Sequence, residues 1–304
     1  MTILDIVAPH PYDFVACIKG HGWVALEPFQ PTDNGFRRVE RLATGRVVLL
    51  TFRQAGAGDA TSIRVEASAD LSPAEQGEVL AKARHILRLD EDFSEFYGLC
   101  RRIGGPQGLC LGKGRLLRSP SLFEDACKVI ATTNVTWRQT KAMVARTVAL
   151  IGPAVDDAPA LRAFPGPAEA LAAGAAFFRD EVRLGYRTEA VIALAERADE
   201  LEALRSAGLS SGELRQRLLT FRGIGPYAAA TLAMLVGHYD FLPVDSEALA
   251  FTARKYFGGR TPRPADIEAL YEPWGAWKYL GYWLDADDAE GPFEQELRPP
   301  TAQA

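Results

Sequence analysis

SSGELRQRLLTFRGIGPYAAATLAMLVGHYDFLPVDSEALAF, residues 210–251, carries two helices, the turn between them and an acid that follows. Ser210 and Glu213 form a capping-box pair ahead of a first helix in which Leu214, Leu218 and Phe221 recur at helical spacing. Arg222-Gly223-Ile224-Gly225 interrupts that helix, and Pro226 opens the second at a position where its missing N–H costs nothing. Glycine suits such a turn because positive φ is cheap only there and because a Cβ would obstruct close approach to the backbone. The turn presents main-chain N–H groups at a helix N-terminus, where uncapped amides and the dipole favour a phosphate oxygen. A Gly-x-Gly turn alone is common to many helix pairs, and the continuation sharpens the reading. Nineteen residues separate Gly225 from Asp245, enough for the second helix and a short loop that delivers the acid to the start of a further helix, SEALAF. Aspartate is a favoured N-cap there, and helix N–H groups are expected to depress its pKa and keep it ionised.

Upstream the chain changes texture once. Residues 1–71 read as an antiparallel β domain, with strands at WVAL from Trp23, FRRVERL from Phe36, VVLLTF from Val47 and SIRVEA from Ser62, punctuated by Asn34-Gly35 and Thr44-Gly45. Residues 72–285 read as helices. Ser72-Pro73 opens a run to about Leu89, Ser121 with Glu124 repeats the capping-box pattern before LFEDACKVIA, Thr136 caps WRQTKAMVARTVAL, and Gly152-Pro153 ends it. Residues 286–304 form an acidic, proline-containing tail expected to be disordered. The fold class is therefore α+β, an N-terminal antiparallel β domain followed by a mostly helical, two-part core that holds the helix-hairpin-helix.

The 304 residues are 48% hydrophobic, which excludes a disordered chain. No stretch approaches the roughly 18 apolar residues of a membrane span, and the first residues lack a signal peptide's basic start and apolar block, so an intracellular site (cytoplasm, nucleoid or nucleus) is expected. Cys17, Cys100, Cys110 and Cys127 are widely separated, as are His10, His21, His85 and His238, which disfavours a metal cofactor. The net charge of −5 argues against a polyanion partner, but its distribution does not. Arg101, Arg102, Lys113, Arg115, Arg118, Lys128, Arg138, Lys141 and Arg146 face only Glu124 and Asp125 in the same interval, a pattern that fits a phosphate track and a solvated helical face equally well. Acidic residues concentrate instead between Glu189 and Glu202 and in the tail from Asp285.

LTFRGIGPYAAATLAML followed by LPVDSEAL resembles the helix-hairpin-helix, Gly/Pro-rich loop and aspartate signature of the base-excision DNA glycosylase superfamily, which contains alkylpurine and oxoguanine enzymes. IATTNVTWRQTKAMVARTVALIGP and Gly185-Tyr186-Arg187 resemble further segments of that family. The resemblance implies a base-excision repair enzyme, a monomer acting on double-stranded DNA that contains a damaged base. Residue by residue it puts Asp245 on the essential aspartate, Arg222, Gly223 and Gly225 on the DNA-gripping hairpin, Asn134 on a DNA contact near the vacated base, and Tyr186 and Arg187 on residues that wedge and read the opposite strand. Bifunctional members carry a lysine two residues after the second hairpin glycine, where this chain has Tyr227. Without that amine no Schiff base forms with the sugar, so a monofunctional hydrolase is expected. No cofactor is implied, and a monovalent cation at the hairpin carbonyls stays open.

Cleavage of an N-glycosidic bond develops positive charge at C1′, which an ionised Asp245 would stabilise. Tyr227 and Trp137 are candidate walls for the extruded base, with aromatic faces suited to cationic alkylpurines, although simple core packing is the better reading of Trp137. The Asn134 and Tyr186-Arg187 elements are similar instead to oxoguanine enzymes. A non-catalytic helix-hairpin-helix DNA-binding module would keep the glycines but have no need of Asp245. An unrelated small-molecule hydrolase would have no affinity for DNA.

Overall fold

The computed structural model describes residues 1–56, 61–103 and 112–287; Cys110 and the chain from residue 288 lie outside them. Strands β1 (Ile3–Val7), β2 (Phe29–Thr32), β3 (Gly35–Arg41), β4 (Val47–Gln54) and β5 (Ser62–Ala67) form one antiparallel sheet in the order β1-β5-β4-β3-β2, with α1 (Phe14–Lys19) between the first two. Successive strands β2 to β5 form the expected meander, and β1 closes its far edge against β5. Alternation sets the inner face, with Val48, Leu50 and Phe52 buried on β4 and the Phe36 ring stacked on Phe52 at 4.4 Å.

WVAL is not a strand. Gly22 at φ +79° bends the chain into a 3-10 turn over Trp23–Ala25, in which Ala25 N–H donates to Gly22 O at 2.9 Å. Trp23, Val24 and Leu26 are all buried, a burial pattern that a strand's period of two does not produce. Nor did patterning reveal α1, which Asp13 caps, or the two-stranded hairpin described below.

The helices are α2 (Pro73–Ile86), α3 (Ser94–Ile103), α4 (Leu122–Thr132) and α5 (Trp137–Ile151). After the hairpin of β6 (Ala154–Val155) and β7 (Ala158–Arg162), which leans on β4 and β3, come α6 (Pro167–Phe177), α7 (Thr188–Glu196), α8 (Ala198–Ala203), α9 (Ser211–Leu218), α10 (Pro226–Val236), α11 (Ser246–Tyr256), α12 (Pro264–Tyr271) and α13 (Lys278–Asp287). Full capping boxes start α2 (Ser72, Glu75), α5 (Thr136, Gln139) and α9 (Ser210, Glu213). Ser121 caps α4 by accepting from Glu124 N–H, but only half the box forms because the Glu124 carboxylate turns inward. Since α13 runs to Asp287, residues 286 and 287 belong to the last helix rather than to the tail. Asp285 accepts hydrogen bonds from Lys255, Tyr256 and Tyr271.

One apolar core runs from Phe36 and Phe52 on the sheet through Phe123 and Val129 on α4 to Leu232 and Met234 on α10. A smaller cluster of Leu242, Phe251, Ile267, Tyr271 and Tyr282 lies among α11, α12 and α13. The sheet joins the helices through buried charge as well. Arg38 on β3 forks onto Glu124 at 2.9 and 2.6 Å and also donates to Glu40, while Lys128, one turn along α4, lies 2.6 Å from the same carboxylate. Burial pushes the Glu124 carboxyl up, but the charges of Arg38 and Lys128 outweigh it and bring the pKa to about 2.

The basic interval therefore is neither a phosphate track nor a solvated face throughout. Arg115, Arg118 and Lys128 are buried, with Arg115 donating to the Glu91 carbonyl and lying 4.3 Å from the Phe93 ring centre.

Candidate active site and nucleic-acid interface

The hairpin forms as the caps predict, with Ser210 starting α9 and Pro226 at the first position of α10. Its two glycines do different work. Gly223 sits at φ +85°, and a Cβ there would meet the Ala190 Cβ on α7 at 2.3 Å. Gly225 has an ordinary φ of −91° and nothing within 4 Å of where a Cβ would stand. Only Gly223 is required by the fold. Gly223→Ala is expected to destabilise by about 1–3 kcal/mol in urea unfolding, from backbone strain and the clash with Ala190, and Gly225→Ala by about 1 kcal/mol or less.

The far end of α10 is held from the N-terminal half of the chain. Arg88, fully buried at φ +52°, donates to the Met234 and Leu235 carbonyls at 2.9 and 3.2 Å, and Arg118 to the Leu235 carbonyl at 3.1 Å. These guanidiniums bind the helix's C-terminal acceptors, of which the Met234 carbonyl also accepts from Gly237 N–H at 3.0 Å. Arg88 also donates to Tyr239 Oη at 2.9 Å, Tyr239 donates to Glu91 at 2.5 Å, and the Tyr239 ring stacks on Trp277 at 5.2 Å. The loop from α10 to Asp245 thus leaves from a fixed point.

Asp245 is half-buried and caps α11, its Oδ1 accepting from Ala248 N–H at 2.9 Å. The expected depression of its pKa is overturned. Burial pushes the carboxyl above its ordinary value, the Glu247 charge adds to the rise, and the Ala248 amide only partly offsets them. Tyr227, on the first turn of α10, lies close enough that the Asp245 charge, after burial, raises its phenol, with the Thr132 hydroxyl alongside. Tyr279 and Tyr282 of α13 feel the same carboxylate and the same phenol. Three tyrosines from two helices therefore lie within reach of the Asp245 charge, of which the sequence identified only Tyr227.

A second corner lies next to the first. Asn134, at φ +51°, donates from Nδ2 to Tyr186 Oη at 3.2 Å. The Arg187 guanidinium lies 4.4 Å from the Tyr186 ring centre, donates to the Thr133 and Leu184 carbonyls, and is buried. Of this pair Tyr186, 66% exposed, meets solvent, and Arg187 holds it there. Thr132 and Thr133 at the end of α4 bring the two corners together, one beside Tyr227 and the other beside Arg187. Arg222 is exposed on the hairpin 3.9 Å from Glu189 of α7, the helix that starts directly after Arg187. Trp137 is half-buried at the start of α5 and packs on the main core.

Sequence reasoning counted His21 only as one of four scattered histidines and gave it no place in the site. It is 5% exposed, stacks on Trp23 at 4.7 Å and 10°, and meets Trp283 edge-on at 6.3 Å, yet neither ring nitrogen has a hydrogen-bond partner. An unsatisfied buried polar group costs about 1–3 kcal/mol. Burial first, then the charges of Arg88 and Lys128, bring its pKa down to about 3, so the ring is neutral.

Among solved structures the chain matches a 3-methyladenine DNA glycosylase from Archaeoglobus fulgidus with a TM-score of 0.76 at 22% identity, covering 94% of this chain and 99% of that one. The chain has the DNA-glycosylase fold. An apo 8-oxoguanine glycosylase/lyase from Clostridium acetobutylicum matches with a TM-score of 0.67 at 16% identity over 94% and 96% of the two chains. The same Clostridium enzyme in complex with double-stranded DNA bearing cytosine opposite 8-oxoguanine matches at 0.60 and 14% identity over 87% and 99%. No protein-family model and no curated protein sequence matches the chain. Within this glycosylase fold, among the described residues, no group of three or more metal-binding side chains occurs, and no helix is long and apolar enough to cross a membrane.

Proposed function

We propose that this protein is a monofunctional DNA glycosylase that hydrolyses the N-glycosidic bond of a damaged purine turned out of duplex DNA. The observation that carries this reading is the electrostatic coupling of Asp245 with Tyr227, a carboxylate whose charge is felt by a phenol in the place a lyase would give to a lysine. The first-turn amides of α10 have no partners within the helix, and nothing stands within 4 Å of where a Gly225 Cβ would be, which suits this helix start to grip a phosphate. Tyr186 is the exposed ring that fills the space an extruded base leaves.

As the base departs with the bonding electron pair, positive charge gathers at C1′, and the Asp245 carboxylate stabilises it. Water then bonds to C1′, and its proton passes to Asp245 or solvent. The ring-rich surround of Tyr227, Tyr279 and Tyr282 favours alkylated purines, because their cationic bases are attracted to aromatic faces and leave without a dedicated acid. An oxoguanine substrate is the second reading, favoured by the joined corner of Asn134 and Tyr186.

Single-turnover assays on duplexes carrying an alkylpurine, 8-oxoguanine, hypoxanthine or uracil test both readings. The expected result is strand breaks only after alkali, fastest for the alkylpurine, and no covalent adduct on borohydride treatment. Breaks without alkali together with a trapped adduct would overturn the monofunctional reading. Binding of every duplex with release of no base would leave a DNA-binding module.

A further inference from the structure

We propose that His21 reads the damaged base, its imidazole hydrogen-bonding to the edge of the purine held beside Asp245. The inference rests on the glycosylase reading and deepens it by naming a specificity residue on an element far from the hairpin.

The geometry begins with the two ring nitrogens. His21 is buried, and both Nδ1 and Nε2 lack partners, although nearly every buried polar group in a folded protein has one. The ring is also immobilised. Trp23 lies parallel to it at 4.7 Å, and Trp23 is itself fixed by a 2.8 Å hydrogen bond from its Nε1 to Asp125 Oδ1. The Trp283 ring meets His21 edge-on at 6.3 Å, and Trp283 stacks on Tyr279 at 6.3 Å and 21°. Tyr279 in turn feels the charge of Asp245 and the phenol of Tyr227. Ring contacts thus lead from an imidazole with nothing to bond through Trp283 to Tyr279, whose phenol feels the carboxylate's charge.

A neutral imidazole offers one N–H donor and one lone pair, and a purine edge presents acceptors and donors in return. Burial, Arg88 and Lys128 keep the ring uncharged, so a cationic alkylpurine meets no imidazolium there. Aromatic walls accept any flat base, whereas a built hydrogen bond discriminates, because a base without the matching atom leaves the buried partner unpaired. His21 supplies that second kind of recognition.

The test compares wild-type protein, His21→Phe and His21→Gln on duplexes bearing 7-methylguanine, 8-oxoguanine or hypoxanthine. Phe keeps the stack on Trp23 and removes both nitrogens; Gln restores one donor and one acceptor. For the base that wild-type protein releases fastest, His21→Phe is expected to be slower by about 10- to 100-fold, with part of the rate regained in His21→Gln. Affinity for a duplex with a tetrahydrofuran abasic site should stay within about twofold, because no base is present to read. Equal rates for His21→Phe and wild type, or an equal loss on the abasic duplex, would overturn the proposal.

A second measurement needs neither a variant nor turnover. The imidazole ¹⁵N signals of wild-type protein are followed as a duplex containing 2′-fluoro-7-methylguanosine is added, since the fluorine disfavours charge at C1′ and preserves the bond. A His21 signal that moves with this duplex and not with the abasic one supports the contact. A signal that stays in place with both overturns it. If wild-type protein releases no base yet the His21 signal moves, the glycosylase reading falls and the base contact stands.

Discussion

Asp245→Asn is expected to slow base release by about 10²- to 10³-fold while leaving the thermal midpoint unchanged or slightly raised. Asn caps a helix as well as Asp does, so the bond to Ala248 N–H survives and α11 keeps its start. What disappears is the negative charge beside C1′. The stability half of the expectation follows from the raised pKa of Asp245. A carboxyl whose pKa is higher folded than unfolded lends its stability in acid and loses it as pH rises through the folded value. At neutral pH the ionised group is therefore a cost, and Asn removes it. The rate has the opposite dependence, because only the ionised form works. Single-turnover release should decline as pH falls through a value above the ordinary 3.8 of an aspartate, and the Asn variant should have no such limb. Thermal melts and pH-rate profiles of both proteins check this. An Asn variant that releases base at the wild-type rate would remove Asp245 from the chemistry.

Glu124→Ala should cost about 3–5 kcal/mol in urea unfolding. The cost comes from what remains, since Arg38 and Lys128 are left buried beside each other. Arg38 keeps Glu40 at 2.6 Å, whereas Lys128 keeps Ser119 Oγ at 3.3 Å and the Phe29 ring centre at 4.6 Å, and no carboxylate within ion-pair distance among the described residues. Removing both members of the worse-placed pair, as in Glu124→Leu with Lys128→Met, should recover much of the loss. The same network sets an acid limit. The Glu124 pKa falls from 4.5 unfolded to about 2 folded, so its contribution is complete above 4.5 and vanishes as pH drops through about 2. A Glu124→Ala protein as stable as wild type would mean that the charges find water.

What the sequence revealed and what it hid divide along a physical line. Caps and the hairpin were legible because Ser210 with Glu213 and Pro226 act within one turn of chain. The sheet followed from alternation, but WVAL alternates too little to separate a strand from the 3-10 turn that Gly22 imposes. Charge counting is blind to depth, and Arg115, Arg118 and Lys128 were counted as surface although they lie inside. The aspartate was found by spacing, whereas its raised pKa depends on burial, which only the packed chain provides. Tyr279 and Tyr282 feel the Asp245 charge from the far end of the sequence, and no local pattern marks either them or the unpartnered His21.

Arg88 and Arg118 also impose an order on the making of the molecule. On the ribosome the sheet, α2 and both arginines emerge well before the helix whose carbonyls they cap, since Leu235 comes 117 positions after Arg118. At about 5–20 residues per second that interval lasts roughly 6–23 s. Throughout it two guanidiniums destined for the interior have no helix end to bind, and the nascent N-terminal half is exposed to premature collapse and to aggregation. Ribosome pausing or chaperone capture between α4 and α10 would therefore change the yield of native protein without altering a single contact in the finished fold.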